Sequence, residues 1–137
     1  EELERKNNSV FLALGTRDAV SLKNVVCFDN FCQEVKLATE DGSIGQKGYI
    51  TENLPEIIES FQPEIIYACG PNPMMSRIKE IATAHKVKCQ VSLETRMACG
   101  IGVCLGCTVK PADPEKPYLK ACVDGPVFWA EEVLLDE

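Results

Sequence analysis

One histidine and one tryptophan in 137 residues are the scarcest chemistry-bearing side chains of this sequence. With His85 alone, no serine, histidine and carboxylate grouping can be assembled for nucleophilic catalysis. His85 lies at helical spacing from Ile78, Ile81 and Ala82, where a packed or helix-end capping role fits better than acid–base work. Positive charge is also short: 14 basic residues face 21 acidic ones, a net charge of −7, so phosphate backbones are repelled and nucleic acid is not an expected partner. No apolar run approaches the roughly 18 residues of a membrane span. The N-terminal EELERKNN has neither the basic start nor the apolar middle of a signal peptide, so the expectation is a soluble, cytoplasmic protein with no membrane partner. A phosphate-binding G-x-G-x-x-G is missing, as are internal repeats and low-complexity tracts.

What the sequence does have is cysteine, eight in all. A reducing compartment and a chain long enough to bury a core both argue against a disulfide framework, and clustered cysteines then point to metal. Cys99, Cys104, Cys107 and Cys122 spell C-x4-C-x2-C-x14-C. The first three reproduce the plant-type [2Fe–2S] ferredoxin spacing, in which one tight loop presents three thiolates and a distant cysteine completes the set. Gly100, Gly102 and Gly106 suit such a loop, because backbone N–H groups must approach the sulfurs and positive φ must be available. Four thiolates also satisfy tetrahedral zinc, the rival reading. Structural zinc sites usually come as two separate C-x2-4-C knuckles rather than one fused three-cysteine loop. Cys27, Cys32 and Cys89 lie in or beside apolar segments and read as small hydrophobes. Cys69 differs, since it ends an apolar run directly before Gly70-Pro71.

Hydrophobic periodicity predicts an α/β fold with a parallel open sheet and helices. Strands are expected at Ser9–Gly15, Gln33–Ala38, Pro63–Cys69 and Val87–Leu93. Leu54, Ile57, Ile58 and Phe61 fall at i, i+3, i+4, i+7, predicting an amphipathic helix capped by Thr51 or Asn53, with Pro55 in its first turn. Asn72-Pro73 reads as cap and first-turn proline of a second helix, with Met74, Ile78, Ile81 and Ala82 on one face. Such alternation implies βαβ units. It stops near Thr95, where glycine, cysteine and then proline take over. Glu1–Lys6 reads as the last turns of a helix whose beginning is absent. The turn after Cys69 stands where open parallel sheets bind ligands, beyond the carboxyl ends of strands, although a plain strand-to-helix connection is equally compatible with one Gly-Pro turn. Asp41–Gly48 reads as a connection, and Arg17 as a solvated arginine.

Taken together, LGTRD (14–18), ATEDGSIGQKG (38–48), YACGPNPMM (67–75), CGIGVCLGC (99–107) and KACVDGPVF (120–128) resemble the electron-transfer subunits of dihydroorotate dehydrogenase, in the ferredoxin–NADP reductase superfamily. The resemblance implies an incomplete reductase-type NAD-binding α/β domain over residues 1–95, lacking its first βα unit, and a small C-terminal iron–sulfur module over 96–137. It implies Cys99, Cys104, Cys107 and Cys122 as ligands of a [2Fe–2S] cluster, Cys69, Gly70, Pro71, Asn72 and Met74 beside the nicotinamide, and Glu94 and Thr95 beside the flavin. The family's FAD barrel is not in the chain, so FAD and NAD are assigned to the full-length subunit. Members pass electrons between NAD(H)/FAD and an FMN-containing catalytic subunit in a hetero-oligomer, acting as a component of an oxidoreductase in pyrimidine biosynthesis rather than as a complete enzyme. Related subunits of hydrogenases and of sulfur or sulfite reductases carry similar segments, and a zinc-stabilised interaction module is the reading from another class. A relay needs its cluster near a docking face. The 99–107 loop and the tail around Phe128 are expected to form it, Phe128 and Trp129 serving either as interface anchors or as core packing for the tail.

Overall fold

Residues 6, 8–22 and 32–135 are described by the structure, a computed structural model of the chain. The predicted helix at residues 1–6 lies outside them apart from Lys6, and so does Cys27. Two compact units are present, residues 1–61 and 62–137. The division read from sequence at 95/96 falls inside the second.

In the first unit, β1 (Phe11–Thr16) and β2 (Glu34–Thr39) pair in parallel, Phe11 opposite Glu34 through Thr16 opposite Thr39. A short helix, α1 (Ala19–Leu22), follows β1; Asp18 starts it by accepting the Ser21 amide at 2.9 Å. The Asp41–Gly48 stretch is a connection, as expected. It folds onto buried Thr39, whose hydroxyl donates to the Ile44 carbonyl at 2.8 Å, and delivers β3 (Gln46–Lys47) parallel to the end of β2. Gly45 has φ of 69° and no room for a Cβ against the Leu37 carbonyl, so glycine is required there.

The helix predicted from Leu54, Ile57 and Ile58 is α2 (Leu54–Phe61), and those three residues are buried. Its start differs from expectation. A 3-10 turn over Ile50–Asn53 runs directly into it, so neither Thr51 nor Asn53 caps it. Asn53 is instead buried, and its Nδ2 has no hydrogen-bond partner. Phe61 meets Phe11 edge-on at 5.4 Å between ring centres, within the range favoured by aromatic pairs.

The second unit is built on β4 (Ile65–Cys69) and β5 (Lys88–Ser92), parallel and in register from Ile65 with Lys88 to Cys69 with Ser92. The crossover is α3 (Asn72–Ala84), which buries Met75, Ile78, Ile81 and Ala82. Strand alternation puts Ala68, Cys89 and Val91 on the buried face. Pro71 occupies the position before α3 and Asn72 is already helical, so the predicted asparagine cap is not made. Pro73 does sit in the first turn, where a missing N–H costs nothing. His85 ends the helix, its amide donating to the Ile81 carbonyl at 3.1 Å and its Nδ1 lying 2.8 Å from the same oxygen. That is the capping role rather than a catalytic one.

The chain beyond Thr95 is not all loop. β6 (Thr108–Val109) and β7 (Leu119–Lys120) form a two-stranded antiparallel ribbon, and β8 (Val127–Trp129) adds antiparallel to β5. Phe128 therefore stands opposite Val91 and is buried with it. The expectation that Phe128 belongs to a docking face is corrected: three residues of strand pairing turn its ring into the core. The segment after β8 is strapped down by Ala112 donating to the Glu132 carbonyl and Leu134 to that of Lys110, both at 2.9 Å. The architecture is α/β with parallel strands and helices, as the periodicity requires. Among the described residues, no helix is long and apolar enough to cross a membrane.

Candidate metal centre

The 96–107 segment has no regular structure, and its path is set by three left-handed residues: Gly100 (φ 68°), Gly102 (φ 81°) and Leu105 (φ 58°). Two of the three glycines thus serve as predicted. Gly106 does not take positive φ; Leu105 does so beside it, a position where a branched side chain carries strain. What Gly106 contributes is its amide, which donates to Cys104 Sγ at 3.4 Å. Gly102 is required twice over, since a Cβ there would come within 2.8 Å of Val123 Cγ2.

The curled loop turns amides inward. Cys104 N–H donates to Cys99 Sγ at 3.4 Å. Hydrogen bonds from the Ile101 amide first, then the Cys104 amide and thiol and the Val103 amide, hold the Cys99 thiol down to about 6. Donors of this kind favour thiolate over thiol. Cys107, buried directly before β6, and half-buried Cys122 have their sulfurs 3.2 Å apart. The Cys122 amide and thiol lower the Cys107 thiol. Cys122 itself is raised, chiefly by sharing its proton with Cys107, although the Gly102 amide acts in the opposite direction.

The four cysteines thus fall into two neighbouring pairs, Cys99 accepting the Cys104 amide and Cys107 lying sulfur to sulfur with Cys122, and negative charge on Cys99 raises the thiols of the second pair. No three histidine, cysteine or carboxylate side chains converge as a ready-made cage for one ion among the described residues. A donor set of four thiols in two pairs, with backbone N–H groups already aimed at the sulfurs, fits an iron–sulfur cluster. Sequence spacing singled out the four cysteines as candidates; it could not point to Ile101, Val103 and Cys104 as amide donors.

The remaining site residues fall into two places. Cys69 is exposed at the carboxyl end of β4, followed by exposed Gly70, Pro71 and Asn72 and by half-buried Met74. Gly70 has φ of 153°, and a Cβ on it would meet Met74 Cε at 2.5 Å. Asn72 also lines a cleft of about 220 Å³ with Glu94, Thr95 and Lys110, so the structure brings Asn72 together with Glu94 and Thr95. The Thr95 hydroxyl is buried there without a partner. Cys89 is buried and its thiol is pushed up by burial, in keeping with a small hydrophobe. Cys32 is half-buried and Arg17 exposed.

Residues 94–134 match the family described as the iron–sulfur cluster binding domain of dihydroorotate dehydrogenase B. The chain is 45% identical over 130 residues, 94% of its length, to the dihydroorotate dehydrogenase B (NAD(+)) electron transfer subunit of Caldanaerobacter subterraneus subsp. tengcongensis, covering 51% of that protein. It is 43% identical over 135 residues to the electron transfer subunit homolog of Aquifex aeolicus, covering 98% of this chain and 51% of that one. A solved structure reported as an NADH-dependent reduced ferredoxin–NADP oxidoreductase, in a study of flavin-based electron bifurcation, superposes with a TM-score of 0.80 at 31% identity, covering 97% of this chain and 47% of that one. The resemblance read from the five sequence segments is therefore borne out, and with it the reductase-type α/β fold. The chain spans about half the length of the curated relatives it matches.

Proposed function

We propose that this chain is an electron-transfer component whose C-terminal module, residues 96–137, holds a [2Fe–2S] cluster. It links an NAD(H)/FAD site, carried by the 1–95 body together with further domains, to an FMN-containing partner that interconverts dihydroorotate and orotate. The observation that carries this reading is the pairing of Cys99 with Cys104 and of Cys107 with Cys122 inside a ring of inward amides. Each pair would hold one iron. When bound, the cluster supplies a one-electron store between two-electron flavin sites.

The chain's own residues then have defined tasks. The Ile101, Val103 and Cys104 amides stabilise negative charge on Cys99, and the Gly106 amide donates to Cys104 Sγ. Cys69, Gly70, Pro71, Asn72 and Met74 would border the nicotinamide, and Glu94 and Thr95 the flavin, where the unpartnered Thr95 hydroxyl offers a hydrogen bond. The partner would dock over the cysteine loop, which presents Ile101 and Val103, each 74% exposed, and Leu105, 61% exposed, with Val123 packed against Gly102 beside them. An apolar face interleaved with the ligands lets a partner approach closely and exclude water.

The test is iron and acid-labile sulfide analysis of anaerobically prepared protein. About two of each per chain, with visible absorption that bleaches on reduction, is expected; about one zinc and no sulfide overturns the reading in favour of a structural zinc site. Mixing with a candidate FMN enzyme and following reduction of the chain by dihydroorotate tests the partner assignment.

A further inference from the structure

We infer that Lys120 is a positioning residue of the cysteine site: it clamps the two segments that supply the thiolates and keeps an unpaired positive charge beside them, favouring the reduced state of the centre. This rests on the iron–sulfur reading above.

Lys120 ends β7 two residues before Cys122, and its backbone is held from both sides. Its N–H donates to Asp124 Oδ2 at 2.6 Å, and its carbonyl accepts the amides of Val123 at 3.0 Å and Asp124 at 2.7 Å. The residue is thereby the fixed first corner of the turn that carries Cys122. Its side chain leaves this turn and reaches the other segment, where Nζ donates to the Gly102 carbonyl at 3.3 Å. Glycine at 102 also keeps the turn and the loop close, since a Cβ there would lie 2.8 Å from Val123 Cγ2.

The consequence follows from peptide geometry. The Gly102 carbonyl and the Val103 N–H belong to one planar trans unit and point in opposite directions. Drawing the carbonyl toward the ammonium turns the Val103 N–H the other way and fixes the peptide plane directly before the Cys104 N–H, which donates to Cys99 Sγ at 3.4 Å. A single contact therefore ties the turn that carries Cys122 to the loop segment whose amide serves Cys99.

Its charge acts in the same sense. Asp124, the carboxylate at the turn, engages the Lys120 backbone rather than its ammonium, and Lys120 takes part in no ion pair among the described residues. Reduction adds one negative charge to the centre, so a nearby cation and well-aimed N–H groups stabilise the reduced form relative to the oxidised one.

The experiment is an anaerobic redox titration of the iron- and sulfide-loaded chain, read by visible absorption and spin resonance, on wild type, Lys120→Met and Lys120→Arg. Lys120→Met is expected to keep its iron but, at the poise where wild type is half reduced, to show a reduced-to-oxidised ratio about tenfold lower, equivalent to roughly 59 mV for one electron. Lys120→Arg, which keeps the charge and a donor, should stay within about threefold of wild type. A fully loaded Lys120→Met titrating at the wild-type potential overturns the inference. Should Lys120→Met lose its iron, retention with wild-type potential in Lys120→Arg supports the clamp, whereas equal loss in both variants assigns the side chain to packing and overturns it. A wild-type protein carrying zinc and no sulfide sinks the underlying function instead, so the two failures are distinguishable.

Discussion

Cys89 and Cys99 are ten positions apart and have opposite chemistry. Cys89 faces the core from β5, 4% exposed, and burial raises its thiol above the ordinary range. Cys99 sits in an irregular loop where amides lower its thiol to about 6. The surroundings differ in the same direction. Around Cys89 the apolar side chains Ala68, Val91 and Phe128 turn inward, whereas around Cys99 Met97, Ile101, Val103 and Leu105 are all more than half exposed. A strand satisfies its amides along the ladder and leaves none for a sulfur. A loop bent by left-handed residues has amides to spare, and it directs them at thiolates while its apolar side chains turn to solvent. Reactivity in this chain is decided by where the backbone N–H groups go, not by the presence of cysteine.

Removing a thiolate from the loop side of this comparison should have the largest effect. Cys107→Ser takes away the buried member of the 3.2 Å pair, and loss of essentially all bound iron is expected, measured as iron and sulfide per folded chain. The counterpart on the core side is Phe128→Ala. Phe128 is 5% exposed and sits opposite Val91, so truncation should cost about 3–5 kcal/mol by denaturant titration. Chains that remain folded should keep a full complement of iron. If Phe128→Ala loses iron at low denaturant in proportion to Cys107→Ser, the two regions are not separable in the way described.

Legibility from sequence follows the same division. β1, β2, α2, β4, α3 and β5 were predictable because each carries its own period, and a parallel sheet followed from their alternation. β8 was not: a three-residue strand exists only because β5 offers it an open edge, so no local pattern announces it, and the sequence leaves Phe128 open between an interface anchor and core packing. The four candidate cysteines stand out in the sequence because cluster spacing is local and fixed by chemistry. Their amide donors do not, because N–H direction depends on φ at Gly100, Gly102 and Leu105, and a leucine in the left-handed region contradicts its own propensity. The helix caps were misread because a 3-10 turn and a proline took the places assigned to Thr51, Asn53 and Asn72.

The contrast between the two thiols can be sharpened by titration of the metal-free chain. The thiolate is the reactive form, so alkylation of Cys99 should rise with pH, pass half-maximum near the value of about 6 to which its amides hold it, and level off above. An ordinary thiol near 8.5 is only about 3% ionised at neutral pH against about 90% for Cys99, a difference of roughly thirtyfold in reactive fraction. The sign for stability is the same. Because the folded value lies below the unfolded one, Cys99 contributes stability that is fully present above about 8.5 and is lost as pH falls through about 6. Mass mapping of short alkylation pulses at several pH values measures it. A Cys99 profile centred near 8.5 would show that its amides do not reach the sulfur in solution.

The smallest effect should come from Cys89→Ala. Its sulfur donates only a weak contact to the Gln90 carbonyl at 3.9 Å, and burial is the largest influence on its thiol, ahead of the charges of Glu131 and Lys79. The substitution removes about one methylene-sized group from a packed interior, so a loss on the order of 1 kcal/mol is expected in denaturant titration. Iron content and the Cys99 alkylation profile should be unchanged, because burial isolates Cys89 from the loop. Replacement by serine in place of alanine separates packing from polarity: a buried hydroxyl asks for a full hydrogen bond where the thiol accepted a long one. Cys89→Ser should therefore be the less stable of the two. If serine is instead the better replacement, Cys89 is held by a polar contact, and its contrast with Cys99 is one of strength rather than of kind.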